Sequence, residues 1–304
     1  MVRRIAFATL MALVGMTASA GPAGAATVVP TLVKETKTSG WSPPSPDPMG
    51  IVYQSSTKRL LVVDSEVEEM SIWHSVNFWE TSLRGSVQRK ASTTGFSKEP
   101  SDIGLRPSDG HLFIPDDDAH KIFEIALGSD GLFGTSDDTV TPTPMSAWGS
   151  SIHGSGVEGI TFGGGDMYFT DAGSDNDVYR VRPGSNGKFD GVPPVGDDVV
   201  SHFDTAKFGQ TDPEAVAYNT DSNTLFIGSR KVRFISEVSL SGSLIRKYDL
   251  SSFDDFKNSS GITYAPSSNN SSGRSIYVVD RGVDNNSNSK ENDGVLFEFV
   301  VKKP

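Results

Sequence analysis

Two glutamates, Glu158 and Glu214, stand 56 residues apart in near-identical settings. Each ends a short turn that opens an apolar run, "SGVEGITF" in one case and "TDPEAVAY" in the other. If the fold brings them together, two unpaired carboxylates repel and one pKa rises. A cation would relieve that repulsion, and hard ions such as calcium take several oxygen ligands. The competing reading is that each glutamate caps its own turn by accepting backbone N–H bonds. Other oxygen donors extend the candidate metal set. Asp171 closes the run "MYFTD" and leads into "DAGSDND". Asp284, Asn286 and Asn288 alternate in "DNNSNSKENDG", as at the start of a calcium loop. The spacing beyond them is not that of an EF-hand, because position twelve is Val295. His153 lies five residues before Glu158 in "SSIHGSGVEG", within reach of the same place.

Whether these groups meet depends on the elements that carry them, and those elements recur. The unit "turn, apolar run, polar turn, apolar run" begins at Asp47, Glu99, Ser155, Thr211 and Asn258. Equivalent positions are Gly50, Asp102, Gly159, Ala215 and Gly261, spaced by 52, 57, 56 and 46 residues. Such a period marks a propeller or solenoid. A third strand pattern follows in every unit ("VNFWETSL", "HKIFEIAL", "DVYRVRPG", "RFISEVSL", "GVLFEFVV"), and a fourth follows in the first four. Four antiparallel strands make a propeller blade.

The fifth unit stops at "VVKKP" without its fourth strand, and "VVPTLVKETKT" near the start is a spare one. Pairing the two closes the ring and leaves no open sheet edge. The predicted fold is therefore all-β: one propeller of five four-stranded blades over residues 26–304, closed by the N-terminal strand. Six blades follow if one repeat is too degraded to recognise. The inner strands read as continuous apolar runs because both faces are buried. The outer ones alternate because one face meets water.

The first 25 residues carry Arg3 and Arg4, an apolar stretch and the small-residue site "AGA", the pattern of a secretory signal peptide. Its apolar part is shorter than the ~20 residues that span a bilayer. Secretion to an extracellular or periplasmic space follows as an expectation. Over the whole chain 27 Lys and Arg face 38 Asp and Glu; without the leader's two arginines the balance is 25 against 38, a net charge of −13. That excess argues against nucleic-acid and anionic-membrane partners and is compatible with bound cations. There is no cysteine, so no disulfide braces an exported fold.

The blade grammar, a P-x-G or P-E-G turn, a short apolar strand, a polar turn and "LFV-D", resembles NHL repeats. It also resembles the calcium-dependent propellers of the SMP-30/gluconolactonase/paraoxonase-like superfamily, over most of residues 47–300. In that superfamily the residue before the blade-opening glycine holds a metal at the axis. The matching positions here are Met49, Ser101, Glu158, Glu214 and Ser260, two of them carboxylates. The resemblance also implies a histidine base near the metal, a role that falls to His153.

Three further groups have a structural and a functional reading. The second-strand ends Asp64, Asp116, Asp171, Ser229 and Asp280 fit side-chain bonds to the following turn. The loops from Gly128 and Gly184, each closing on Asp-Asp, fit either calcium staples or Asx-turns. The cluster Trp73, Phe78 and Trp79 fits a carbohydrate or protein contact surface, or packing between blades, with Phe78 assigned to the core.

No G-x-S-x-G elbow, P-loop, H-E-x-x-H or dinucleotide fingerprint is present. Two functions remain. One is a calcium-binding module, expected to be a monomer, that offers an acidic axial mouth to a small-molecule, glycan or protein ligand. The other is a metal-dependent lactonase or esterase with its ion at the axis.

Overall fold

The computed structural model describes residues 25–301, apart from 72–73, 153–155, 172–174, 270–272 and 286. The chain forms five sheets, one per repeat, each built on four antiparallel strands. Their innermost strands are Pro48–Gln54, Gly104–Leu105, Ile160–Gly163, Pro213–Asn219 and Gly261–Pro266. Each packs beside the next, and the fifth packs against the first, so the ring closes on five blades. The sixth blade left open by the sequence does not exist: contact between the first strands of blades five and one leaves no gap for it.

Closure follows the predicted permutation. Thr31–Lys37 pairs antiparallel with Val295–Val300, Thr31 opposite Val300 and Lys37 opposite Val295, and supplies the fourth strand of blade five. One strand was not foreseen. Ala26–Val28 adds to blade four as a fifth, parallel strand opposite Arg246–Tyr248.

Each interface between blades holds its own apolar cluster. Leu61, Val63 and Phe78 of blade one meet Leu112, Ile114 and Phe123 of blade two. Tyr168 and Val178 of blade three meet Val216, Leu225 and Ile227 of blade four. Phe78 and Trp79 are fully buried. The Trp79 indole donates to the Pro43 carbonyl at 3.2 Å and its ring lies 6.0 Å from that of Trp41. These two side chains thus pack inward and offer no outer contact surface. Trp73 lies outside the described residues.

Glycine opens the inner strands for a steric reason. A Cβ on Gly50 would meet the Asp102 backbone at 2.5 Å, and one on Gly159 would meet the Glu214 carbonyl at 2.7 Å. Bare backbone here lets neighbouring blades approach closely at the axis. Blades four and two depart from this pattern, with Ala215 and with Asp102, which is fully buried. Its Oδ1 accepts the Ile51 amide at 3.2 Å and its Oδ2 accepts the Ile160 amide at 2.7 Å. One carboxylate therefore joins blade two to both neighbours. Blade two's inner strand is correspondingly short, only Gly104–Leu105.

Candidate functional site

The turns before the inner strands of blades three and four carry Glu158 and Glu214 to one cavity of about 200 Å³ at the end of the axial channel. Glu214 is 1% exposed and Glu158 beside it is half-buried. Burial, then the charge of Glu214, pushes the Glu158 carboxyl well above its usual range. Burial pushes Glu214 up to about 7, against the opposing pull of Arg281 and Arg230. A carboxyl held there can both give and take a proton near neutrality.

Two arginines share the cavity with these acids. Arg230 Nε lies 2.6 Å from Asp212 Oδ2 and 3.2 Å from Glu214 Oε1. The second contact has ion-pair distance without hydrogen-bond alignment, since Glu214 Oε1 accepts no hydrogen bond. Arg281 Nη2 lies 2.5 Å from Asp284 Oδ2, and its Nη1 donates to Met49 Sδ at 3.4 Å. Asp117, Asp118, Glu66 and Glu99 complete the acidic lining. The mouth is net negative despite both guanidinium groups. Burial and acidic neighbours also hold Glu99 at about 8.

One face of this mouth is a three-carboxylate group. Asp47, Glu66 and Asp284 each place a carboxylate oxygen so that all three lie within 4.8 Å of one another. Asp47 precedes the inner strand of blade one and has no solvent exposure. Its Oδ2 accepts the Asn285 amide at 2.8 Å, while its Oδ1 has no hydrogen-bond partner among the described residues. Burial, then the charge of Asp64, raises Asp47 to about 9. Burial, then the charge of Asp284, raises Glu66 to about 7. Three hard oxygen donors and a buried carboxylate oxygen without a proton donor fit a divalent cation. Asp47, Glu66 and Asp284 are the residues that could hold one.

The sequence candidates fall in different places. Glu158 and Glu214 line the cavity, and Asp284 joins the triad. Asn288 lies in the same loop but donates to Glu291 Oε2 at 2.8 Å and accepts the Lys290 amide. Asn286 and His153 lie outside the described residues. Asp171 is buried at the end of its strand, opposite Asp177, and is not among the residues lining the cavity.

Equivalent positions show what the second-strand ends do. Asp64 accepts the Ser45 hydroxyl and the amides of Asp47 and Glu66. Asp280 accepts the amides of Lys257, Asn258 and Gly282. Asp116 accepts the Ser97 hydroxyl and the Ala119 amide. Each ties the chain entering its blade to the turn leaving it. The loops from Gly128 and Gly184 are likewise held by their own amides. Ser129 donates to Asp137, Gly134 and Thr135 donate to Asp138, and Ser185 donates to Asp197.

Sequence reasoning missed the arginines and Asp47. A register signal for the arginines exists. Ser65, Asp117, Arg230 and Arg281 each follow a second-strand end, and all four line the cavity. That position is a second inner ring, one residue beyond the one singled out. Asp47 had no such signal, since its role depends on a loop 238 residues away.

No protein family's model matches the chain, and no curated protein matches it. Solved structures match in fold. Glutaminyl cyclase from Myxococcus xanthus superposes with a TM-score of 0.55 at 10% identity, covering 91% of this chain and 97% of that one. A luciferin-regenerating enzyme superposes with a TM-score of 0.51 at 12% identity, covering 84% and 92%. At these identities the likeness carries the propeller architecture alone.

Proposed function

We propose that this chain is an exported propeller that binds a divalent cation, calcium by donor type, and presents it at the acidic mouth to a ligand. The observation that carries this reading is Asp47 Oδ1: a fully buried carboxyl oxygen that has no hydrogen-bond partner among the described residues, grouped with Glu66 and Asp284. Leaving such a group without a partner, ionised or protonated, costs about 1–3 kcal/mol, and an ion bound to the carboxylate would remove that cost. The fit of all-oxygen donors to calcium supports the choice of metal. An expectation of a monomer and of no nucleic-acid partner accompanies this reading, on the chain's acidic balance. The test is metal analysis of the purified protein, with calorimetric titration of calcium into chelator-treated protein. If wild type and Asp47→Ala take up calcium equally, the site is elsewhere and the proposal fails.

A second reading is a metal-dependent hydrolase of lactones or esters. It is favoured by the two raised glutamates and two guanidiniums bordering the triad. A bound ion would supply Lewis acidity toward a carbonyl oxygen. Arg230 and Arg281 would hold the developing negative charge, and Glu214 would move the proton. A screen of lactones and aryl esters, repeated after chelation, tests it. Hydrolysis that survives metal removal, or no hydrolysis of any ester or lactone, eliminates this reading while leaving the binding module standing.

A further inference from the structure

The far end of the axial channel is built from opposite chemistry. The third residue after each blade-opening position is Tyr53, Leu105, Phe162, Tyr218 and Tyr264. These five side chains, one per blade, line a second cavity of about 310 Å³. Among the described residues no carboxylate lines it, and its one basic residue, Arg274, faces Asp221 Oδ1 at 3.5 Å from its Nε. The first mouth is lined by acids and arginines; this one has an aromatic collar.

The collar is organised ahead of any guest. The Tyr218 hydroxyl donates to Asn223 Oδ1 at 2.7 Å, and the Tyr264 hydroxyl donates to Asp221 Oδ2 at 3.1 Å. The Arg274 guanidinium lies 5.5 Å from the Tyr264 ring centre. Gly163 makes room for one of these rings: a Cβ there would sit 2.1 Å from Tyr218 Cδ2. Thr161 and Thr263 also line the cavity. Their hydroxyl oxygens accept the amides of Tyr218 at 3.2 Å and Tyr53 at 3.1 Å. Among the described residues neither hydroxyl has a recorded acceptor for its own proton, so each retains a donor.

We propose that this second mouth binds a single neutral sugar ring. The size and mixed lining match a small-molecule pocket, which is concave, largely apolar and carries a few placed polar groups. A charged guest would lack a counter-ion inside it, because the guanidinium at the rim is already paired. A pyranose has two apolar C–H faces for the tyrosine and phenylalanine rings. Its hydroxyl edge can accept from Thr161 and Thr263. Fixed aromatic rings give contact area with little loss of side-chain freedom. The site does not depend on a cation at the other mouth.

The test uses the full chain and three probes without aromatic groups: the methyl glycosides of glucose, galactose and N-acetylglucosamine. Binding is read by saturation-transfer NMR and calorimetry. At least one probe is expected to bind. Tyr53→Ala removes a partly exposed ring and should weaken binding about tenfold, the size of an aromatic contact. Ser55→Trp, at an exposed lining position, should abolish binding by filling the entrance. Glu158→Gln, at the opposite mouth, should leave it unchanged. The proposal is overturned if no methyl glycoside binds up to about 50 mM, a ceiling above weak millimolar affinities. It is also overturned if Tyr53→Ala and Ser55→Trp bind as tightly as the wild type with their melting temperatures intact. Binding of p-toluate or p-nitrophenol without any glycoside would assign the pocket to planar aromatic ligands instead, and overturn it equally.

Discussion

The Asp47 carboxylate accepts the Asn285 amide at 2.8 Å across 238 residues of chain. Asp47 leads into blade one and Asn285 belongs to the loop of blade five, so the acidic triad spans the seam where the ring closes. Cation binding and ring closure should therefore be one thermodynamic event. Asp47→Asn separates the two contributions. With its carboxyl raised to about 9, Asp47 is already protonated at pH 7 in the ion-free protein. The amide should therefore change ion-free stability by less than about 1 kcal/mol. It should weaken calcium binding more than about tenfold, because a ligating charge is gone. Urea unfolding with and without chelator, beside calorimetry, reads both. A variant that loses stability without losing calcium affinity would assign Asp47 to structure alone.

The mouth predicts how ion-free stability varies with pH. Glu214 and Glu66 are raised to about 7, Glu99 to about 8 and Asp47 to about 9, burial being the largest cause in each. A raised folded pKa means the folded protein keeps protons that the unfolded chain has released. Stability is then fullest below the unfolded values, near pH 4, and falls as pH climbs through the folded ones. The ion-free melting temperature should drop by several degrees between about pH 5 and 9. Calcium favours the ionised acids, so saturating calcium should flatten that decline. A melting temperature that rises over this range without metal would contradict the electrostatics described for the cavity.

Arg281 is 11% exposed by its side chain and faces Asp284. The charges of Glu214, Asp47 and Glu66 also act on it. Arg281→Met should cost about 3–5 kcal/mol in ion-free protein, the usual result of removing one partner from a buried charge group. The loss should be larger at pH 8 than at pH 5, where more of the acids carry protons. Added calcium should recover part of it. Denaturant titrations at the two pH values check the sign, and an equal loss at both would mean Arg281 acts through packing.

Asp102 joins three blades through its two oxygens and does not line the acidic cavity. Asp102→Ala leaves two buried amides without acceptors and should cost about 2–4 kcal/mol. Calcium affinity of the folded fraction should be unchanged. A large loss of calcium affinity with little loss of stability would place Asp102 in the binding machinery.

Much of this was legible in the chain because repetition carries geometry. Once Gly50, Asp102, Gly159, Ala215 and Gly261 are equivalent, Glu158 and Glu214 must sit at neighbouring places around one axis. The closing strand at 31–37 was legible for the same reason: the last repeat lacked a part that the first residues could supply. Asp47 and the Asn285 amide were not legible, because their meeting is set by how two loops cross a seam. Arg230 and Arg281 belong to no motif; only the register shows that the residue after the second strand lines the mouth in blades one, two, four and five. Ala26–Val28 joined blade four through backbone pairing, which places little demand on side-chain type. Asp102 stands one residue beyond the repeat position of Glu158 and Glu214, and that shift turns its carboxylate between blades.

The seam also sets how the molecule would respond to tension. Thr31 lies opposite Val300 in the closing pair, so once Ala26–Val28 has left blade four, a pull applied to the two chain ends loads that one rung first. The strands would peel apart sequentially toward the Lys37–Val295 rung rather than resist in parallel. Of the five blades, the one built from early and late segments of the chain is the clasp, and a low force directed there should spring it.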